Sequence, residues 1–98
     1  MDLRNSDHVK KIANYGYELT NFEVIYGDIN YLEFTCQKKC GKAVLVIDDH
    51  IDDEEIRDFI VCSFYKDKNG NKTYYGVESD LLKIIYDLIQ DIKLNIIQ

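Results

Sequence analysis

The chain has 98 residues, 46% of them hydrophobic and 31% charged, with a formal net charge of −6 at pH 7. That is enough for one core, too apolar for a disordered chain, and no apolar run approaches the ~20 residues of a membrane span. Three cysteines, an odd number, suit reduced thiols better than a disulfide framework. The opening MDLRNSDHVKK has no signal-peptide apolar region, so a cytoplasmic protein of one domain, residues 1–98, is expected.

The first expected element is a short helix from Ser6 to Tyr15, capped by Ser6, with Val9, Ile12 and Ala13 as its apolar face and Gly16 as the left-handed residue that ends it. From Tyr17 to Ile47 the apolar period changes to two. Phe22, Val24 and Tyr26 alternate with Glu23, and Leu32, Phe34 and Cys36 alternate with Glu33 and Thr35, which reads as two half-buried strands. Both apolar sets fall on even positions, so an odd-length loop such as Gly27 to Ile29 is needed to bring them face to face. Lys39-Cys40-Gly41 suits a three-residue loop with Gly41 left-handed, opposing Cys36 to Val44 and Phe34 to Val46. The next strand, Ala43 to Ile47, is apolar on both faces, the mark of a central strand or of one face awaiting a partner.

An acidic segment follows. Asp48, Asp49, Asp52, Asp53, Glu54, Glu55 and Asp58 stand against one base, Arg57, so this stretch carries −6 and leaves eleven acids and eleven bases elsewhere. Asp52 and Glu55 have capping-box spacing, with Asp53 and Glu54 suited to a first helical turn. Beyond it, Asn69-Gly70 is the strongest hairpin signal in the chain. A type I′ turn there pairs Asp67 with Lys72, Tyr65 with Tyr74, Phe64 with Tyr75 and Cys62 with Val77. Ile60, Cys62, Phe64, Tyr75 and Val77 then face the core. The last element is a helix over Ser79–Lys93, with Ser79 as N-cap and Asp80 in the first turn. Leu81, Leu82, Ile84, Ile85, Leu88, Ile89 and Ile92 form one apolar face opposite Asp80, Lys83, Asp87, Gln90 and Asp91. The pattern fails after Lys93.

The fold expected is α+β: a short N-terminal helix, a mostly antiparallel sheet of about five strands, and a C-terminal amphipathic helix on one face. The alternative turns 53–65 into a second helix, where Ile56, Phe59, Ile60 and Phe64 share a face, and leaves three strands with three helices.

Residues Asp67 to Glu78 resemble the calcium loop of EF-hand proteins, with Asp67, Asn69, Asn71 and Thr73 at the first, third, fifth and seventh positions and Glu78 at the twelfth. The resemblance implies a helix entering the loop. Lys72 stands where that family needs glycine, and a hairpin is the preferred reading. Cys36 and Cys40 are one residue too far apart for a zinc-ribbon knuckle, and no second ligand pair exists. His8 and His50 have no nucleophile motif near them, and no phosphate loop is present. The expectation is therefore no enzyme, no cofactor and no bound metal.

Capping a helix needs one or two acids, not seven, and the excess opposes compactness by self-repulsion. The function expected is a non-enzymatic binding protein of the inhibitor, immunity or anti-defence type. Its acidic segment would occupy a basic site on a partner protein, one suited to nucleic acid, without itself binding nucleic acid or membrane. Tyr65 and Tyr74, expected on the sheet face away from the C-terminal helix, either supply an aromatic anchor beside Asp48, Asp49, Asp52, Asp53, Glu54, Glu55 and Asp58 or are covered by the N-terminal helix. The alternative is a small homo-oligomeric regulatory domain, a homodimer for instance, or a calcium-binding one.

Overall fold

The computed structural model describes residues 2–25, 28–53 and 56–94, and for 28 and 48–62 the backbone alone. A 3-10 turn, Leu3–Asn5, leads into α1 (Asp7–Asn14), β1 (Glu18–Ile25), β2 (Asp28–Lys38), β3 (Gly41–Asp53), β4 (Ile56–Asp67), β5 (Lys72–Tyr74) and α2 (Ser79–Lys93). The strands form an antiparallel meander in the order β1-β2-β3-β4-β5. The α+β arrangement expected from the sequence is the one observed. The three-stranded alternative fails because 56–67 is strand. Asp52 lies in β3 and the chain resumes as strand at Ile56, so Asp52 has no helix to cap.

Both helices lie on one face of the sheet. Leu81, Ile85, Leu88, Ile89 and Ile92 of α2 join Val9 and Ile12 of α1 in one buried cluster with Leu19, Leu32, Phe34, Leu45 and Ile47. Each such aliphatic side chain contributes about 1.5–3 kcal/mol of burial, which holds helices too short to persist alone. The Ser6 hydroxyl caps α1 by accepting from the His8 amide, and Gly16 ends it with φ +92°. His8 reaches across to α2, with Nε2 2.9 Å from Oδ2 of Asp91. In α2 the N-cap position falls on Glu78, not Ser79, and no side chain caps it. Leu94, which leaves the apolar stripe, is 67% exposed.

Three registers differ from the sequence expectation, each for a local reason. The β1–β2 hairpin closes at Ile25↔Asp28, and a bulge between Glu23 and Val24 absorbs the parity difference, so that Phe22 still opposes Leu32. The β2–β3 turn has two residues, with Lys38 opposite Gly41, Cys36 opposite Ala43 and Phe34 opposite Leu45. Gly41 is not left-handed. A Cβ at Gly41 would run into the carbonyl oxygen of Lys66, so the glycine is needed for close approach of β4. The β4–β5 loop spans Lys68 to Gly70, not Asn69-Gly70 alone. Oδ1 of Asp67 accepts from the amides of Asn69 and Asn71, both at 2.9 Å, and the Gly70 amide donates to the Asp67 carbonyl at 3.1 Å. With Gly70 at φ +88°, this is a type I turn followed by a left-handed glycine, and it sets Phe64 opposite Tyr74 and Tyr65 opposite Thr73.

The β3–β4 register sets the faces of β4. Directly opposed residues share a face, and Ser63 opposes Leu45, so Ser63 lies on the helix side and is 4% exposed. Its hydroxyl donates to the Tyr75 carbonyl. Phe64 opposes Val44 and therefore lies on the other face, contrary to the expected core position. Tyr75 and Val77 remain on the helix side, where Val77 packs against the main cluster and the Tyr75 hydroxyl meets Tyr17. Ile60 and Cys62 share the register parity of Phe64, and their side chains lie outside the described residues.

Candidate partner-binding surface

Among the described residues, β2 pairs with β3 only as far as Tyr31↔Asp48, and β5 pairs with β4 only over Phe64 to Lys66. The β3–β4 pairing continues past both, through Asp49↔Phe59 and His50↔Asp58, to Asp53↔Ile56 after an irregularity. The acidic segment is therefore carried on a two-stranded ribbon that runs beyond the sheet. Asp48, Asp49, Asp52 and Asp53 belong to β3 and Asp58 to β4, while Glu54 and Glu55, and the side chains of all seven acids, lie outside the described residues. Among the described residues neither edge of this ribbon is paired to a further strand, and its sequence, seven acids against Arg57, is strongly anionic.

The two tyrosines expected beside it are separated. Tyr74 lies on the sheet face away from the helices, 64% exposed, with its ring centroid 5.7 Å from that of Phe64. Tyr65 opposes Ala43 and is half-buried on the helix side. Both sit at the opposite end of the β3–β4 hairpin from the acids, so they do not join them in one surface.

That opposite end holds what sequence reasoning missed. Lys42 opposes Lys66, and Lys66 opposes Lys72, placing three lysines in one row across β3, β4 and β5 on the open face. Like charges directly opposed across strands destabilise a sheet. Nζ of Lys72 lies 4.7 Å from the Phe64 ring centroid, which offsets part of the repulsion, and among the described residues no ion pair joins any of the three to a carboxylate. The expected Asp67–Lys72 pairing concealed this row, because a one-residue shift replaces the acid with Lys66. Beside the row lie Val44, 4% exposed without a helix over it, half-buried Val46 and Phe64, and exposed Tyr74.

On the helix side, Tyr15, Tyr17, Tyr75, Glu78 and Leu81 line a pocket of about 240 Å³. The Tyr17 and Tyr75 hydroxyls share a hydrogen bond of 2.6 Å. Burial, then that bond, pushes the Tyr17 phenol well above its ordinary range. The residues of the calcium-loop resemblance are distributed among a hairpin turn, β5 and the N-cap of α2, and a strand enters where the resemblance implies a helix. Cys36 is half-buried in β2 and Cys40 is exposed in the turn, both as free thiols. Among the described residues no three His, Cys, Asp or Glu side chains converge as metal ligands, and no helix is long and apolar enough to cross a membrane. No protein family, curated protein or solved structure matches the chain.

Proposed function

We propose that this protein is a small acidic binding module whose β3–β4 ribbon enters a basic site on a partner protein. The observation that carries the reading is the end of β2 pairing at Asp48. From there β3 and β4 continue with no third strand paired to them among the described residues, and the sequence from Asp48 to Asp58 carries −6, the chain's whole formal charge. A charge so concentrated raises the local potential and speeds encounter with a cationic surface, and a narrow ribbon can reach a recessed site that a sheet face cannot. Edges unpaired among the described residues also permit pairing with a strand of the partner. A cleft that holds nucleic acid in the partner has the chemistry required: lysines and arginines spaced for phosphates accept a row of carboxylates equally well.

The test is differential capture. The immobilised wild-type chain and a variant carrying Asp52→Asn, Asp53→Asn, Glu54→Gln and Glu55→Gln are exposed to the same lysate. A basic protein retained by the wild type, released by salt and absent from the variant supports the reading. Identical retention by both chains refutes it.

A further inference from the structure

We infer that the open sheet face is a self-association surface, on which a second copy of this chain lies head to tail so that the acidic ribbon of each protomer covers the lysine row of the other. The inference is independent of the partner proposed above, since it needs only this chain. Three observations carry it. First, Lys42, Lys66 and Lys72 stand in a like-charged row with no carboxylate paired to them among the described residues. With Lys38, Lys39 and Lys68 at the adjoining turns, half of the chain's twelve Lys and Arg gather at this end. Second, at the other end of the same two strands Asp48 and Asp58 share the register parity of Lys42 and Lys66, and Asp52 and Asp53 follow beyond an irregularity in the pairing. The β3–β4 hairpin thus has oppositely charged ends, and a two-fold axis lying in the contact and running across the strands superposes one on the other. Third, between these ends the open face carries half-buried Val46 and Phe64 and exposed Tyr74 around a buried Val44, an apolar strip over which no helix lies among the described residues.

The axis follows from the charges. An axis along the strands would lay Lys42 on Lys42 and acids on acids, so only the crosswise axis joins unlike charges. Glu33 of β2, opposite Val46, shares the open face, with its carboxylate accepting from the Thr20 hydroxyl on the β1 side. Glu18 and Glu23 share it at the β1 edge, which the twist of a five-stranded sheet carries away from a contact centred on β3 and β4. The contact is then of the order of 500 Å² on each protomer from the strand spacings, below the ~800 Å² typical of a standard interface. The dimer is weak and electrostatic, and salt dissolves it. A single-stranded nucleic acid is the competing occupant, with lysines for phosphates and Phe64 and Tyr74 for bases. The net charge of −6 opposes it, whereas a second copy supplies the complementary charge.

The test is sedimentation at ~200 µM in about 50 mM and about 500 mM NaCl, where attraction between exposed charges is respectively retained and screened. The expected result is a dimer that dissociates in the higher salt. One variant carries Lys42→Glu, Lys66→Glu and Lys72→Glu, and another Asp48→Lys, Asp52→Lys and Asp58→Lys, with Asp48 and Asp58 in the register parity of Lys42. Each alone is expected to be monomeric at low salt, and an equimolar mixture to dimerise again, because each then supplies the charge the other lacks. Lys72→Glu alone, at an exposed position, should raise the dissociation constant about 10-fold and serves should a triple variant fail to fold. A wild-type chain that is monomeric at low salt overturns the inference, as does a dimer indifferent to Lys72→Glu. Binding of an oligothymidylate by the wild type and not by the lysine variant overturns it too, and assigns the row to nucleic acid.

Discussion

Replacing Gly41 by alanine and, separately, by asparagine tests the frame on which both charged ends of the hairpin depend. An ideal Cβ at Gly41 would overlap the Lys66 carbonyl, lie 2.8 Å from the Tyr65 hydroxyl and 2.9 Å from the Asp67 Cα, and real Cβ contacts of this kind are essentially absent below 3.0 Å. Two of the three obstacles are backbone, so β4 must move from β3 by about an ångström, as in overpacked cores where the cost is about 1–3 kcal/mol. For a domain of this size that lowers the melting temperature by roughly 4–8 °C per kcal/mol. Gly70 is the internal control. It has φ +88° and nothing within 4 Å of an added Cβ, so conformation alone decides there, and asparagine, which tolerates the left-handed region, should melt above alanine. At Gly41 asparagine should be no better than alanine, because the obstacle is steric. Thermal melting by circular dichroism of the four variants reads the crossover. A Gly41→Asn chain that melts close to wild type while Gly41→Ala melts far below it would make Gly41 a left-handed turn residue. It would shift the β2–β3 register and dissolve the lysine row.

Leu88→Ala should cost about 3 kcal/mol, seen as a large fall in the denaturation midpoint, because Leu88 is fully buried where α2 meets the sheet. Lys83→Ala on the exposed face of α2 should change stability by less than about 0.5 kcal/mol. Similar midpoints for the two variants would mean that α2 is seated on another face. Tyr17 has a phenol pKa raised by folding, so it holds its proton where the unfolded chain loses it. Its contribution is intact below about pH 10 and is lost as the pH rises further. Melting between about pH 8 and 11 should therefore show a steeper alkaline decline in the wild type than in Tyr17→Phe, and equal slopes would contradict the assignment.

The helices and the antiparallel α+β class were legible because each rests on a repeated pattern, whereas the pairing of β3 with β4 was not read from the sequence. In α2 seven apolar side chains fall on one stripe, and no single position can mislead the reading. The hairpin registers each rest on one local choice. Asp67 takes two amides of its own turn and moves the β4–β5 register by one residue, which sets Tyr74 in place of Tyr75 opposite Phe64, while the pairing of β4 with β3 puts Phe64 on the open face and Ser63 beneath the helices. At Gly41 the sequence shows a glycine beside a turn, and only the approach of Lys66 reveals why it is there. The acidic segment was visible as composition, but its carriage on a ribbon beyond β2 depends on where pairing stops. The lysine row was illegible for the same reason: Lys42, Lys66 and Lys72 are 24 and 6 positions apart in the chain and meet only through two registers.

The central claim, that the ribbon's acids drive encounter with a basic partner, is tested most directly by association kinetics. Once a captured partner is purified, its association rate with the wild-type chain and with the Asp52→Asn, Asp53→Asn, Glu54→Gln, Glu55→Gln variant is measured by stopped flow at about 50 mM and about 300 mM salt. The wild-type rate should fall steeply between the two salts. The variant should associate at least ~10-fold more slowly at the lower salt and show a much flatter dependence, with its melting temperature preserved. Equal rates for the two chains at both ionic strengths would contradict the account and leave the acids as a solvated ribbon.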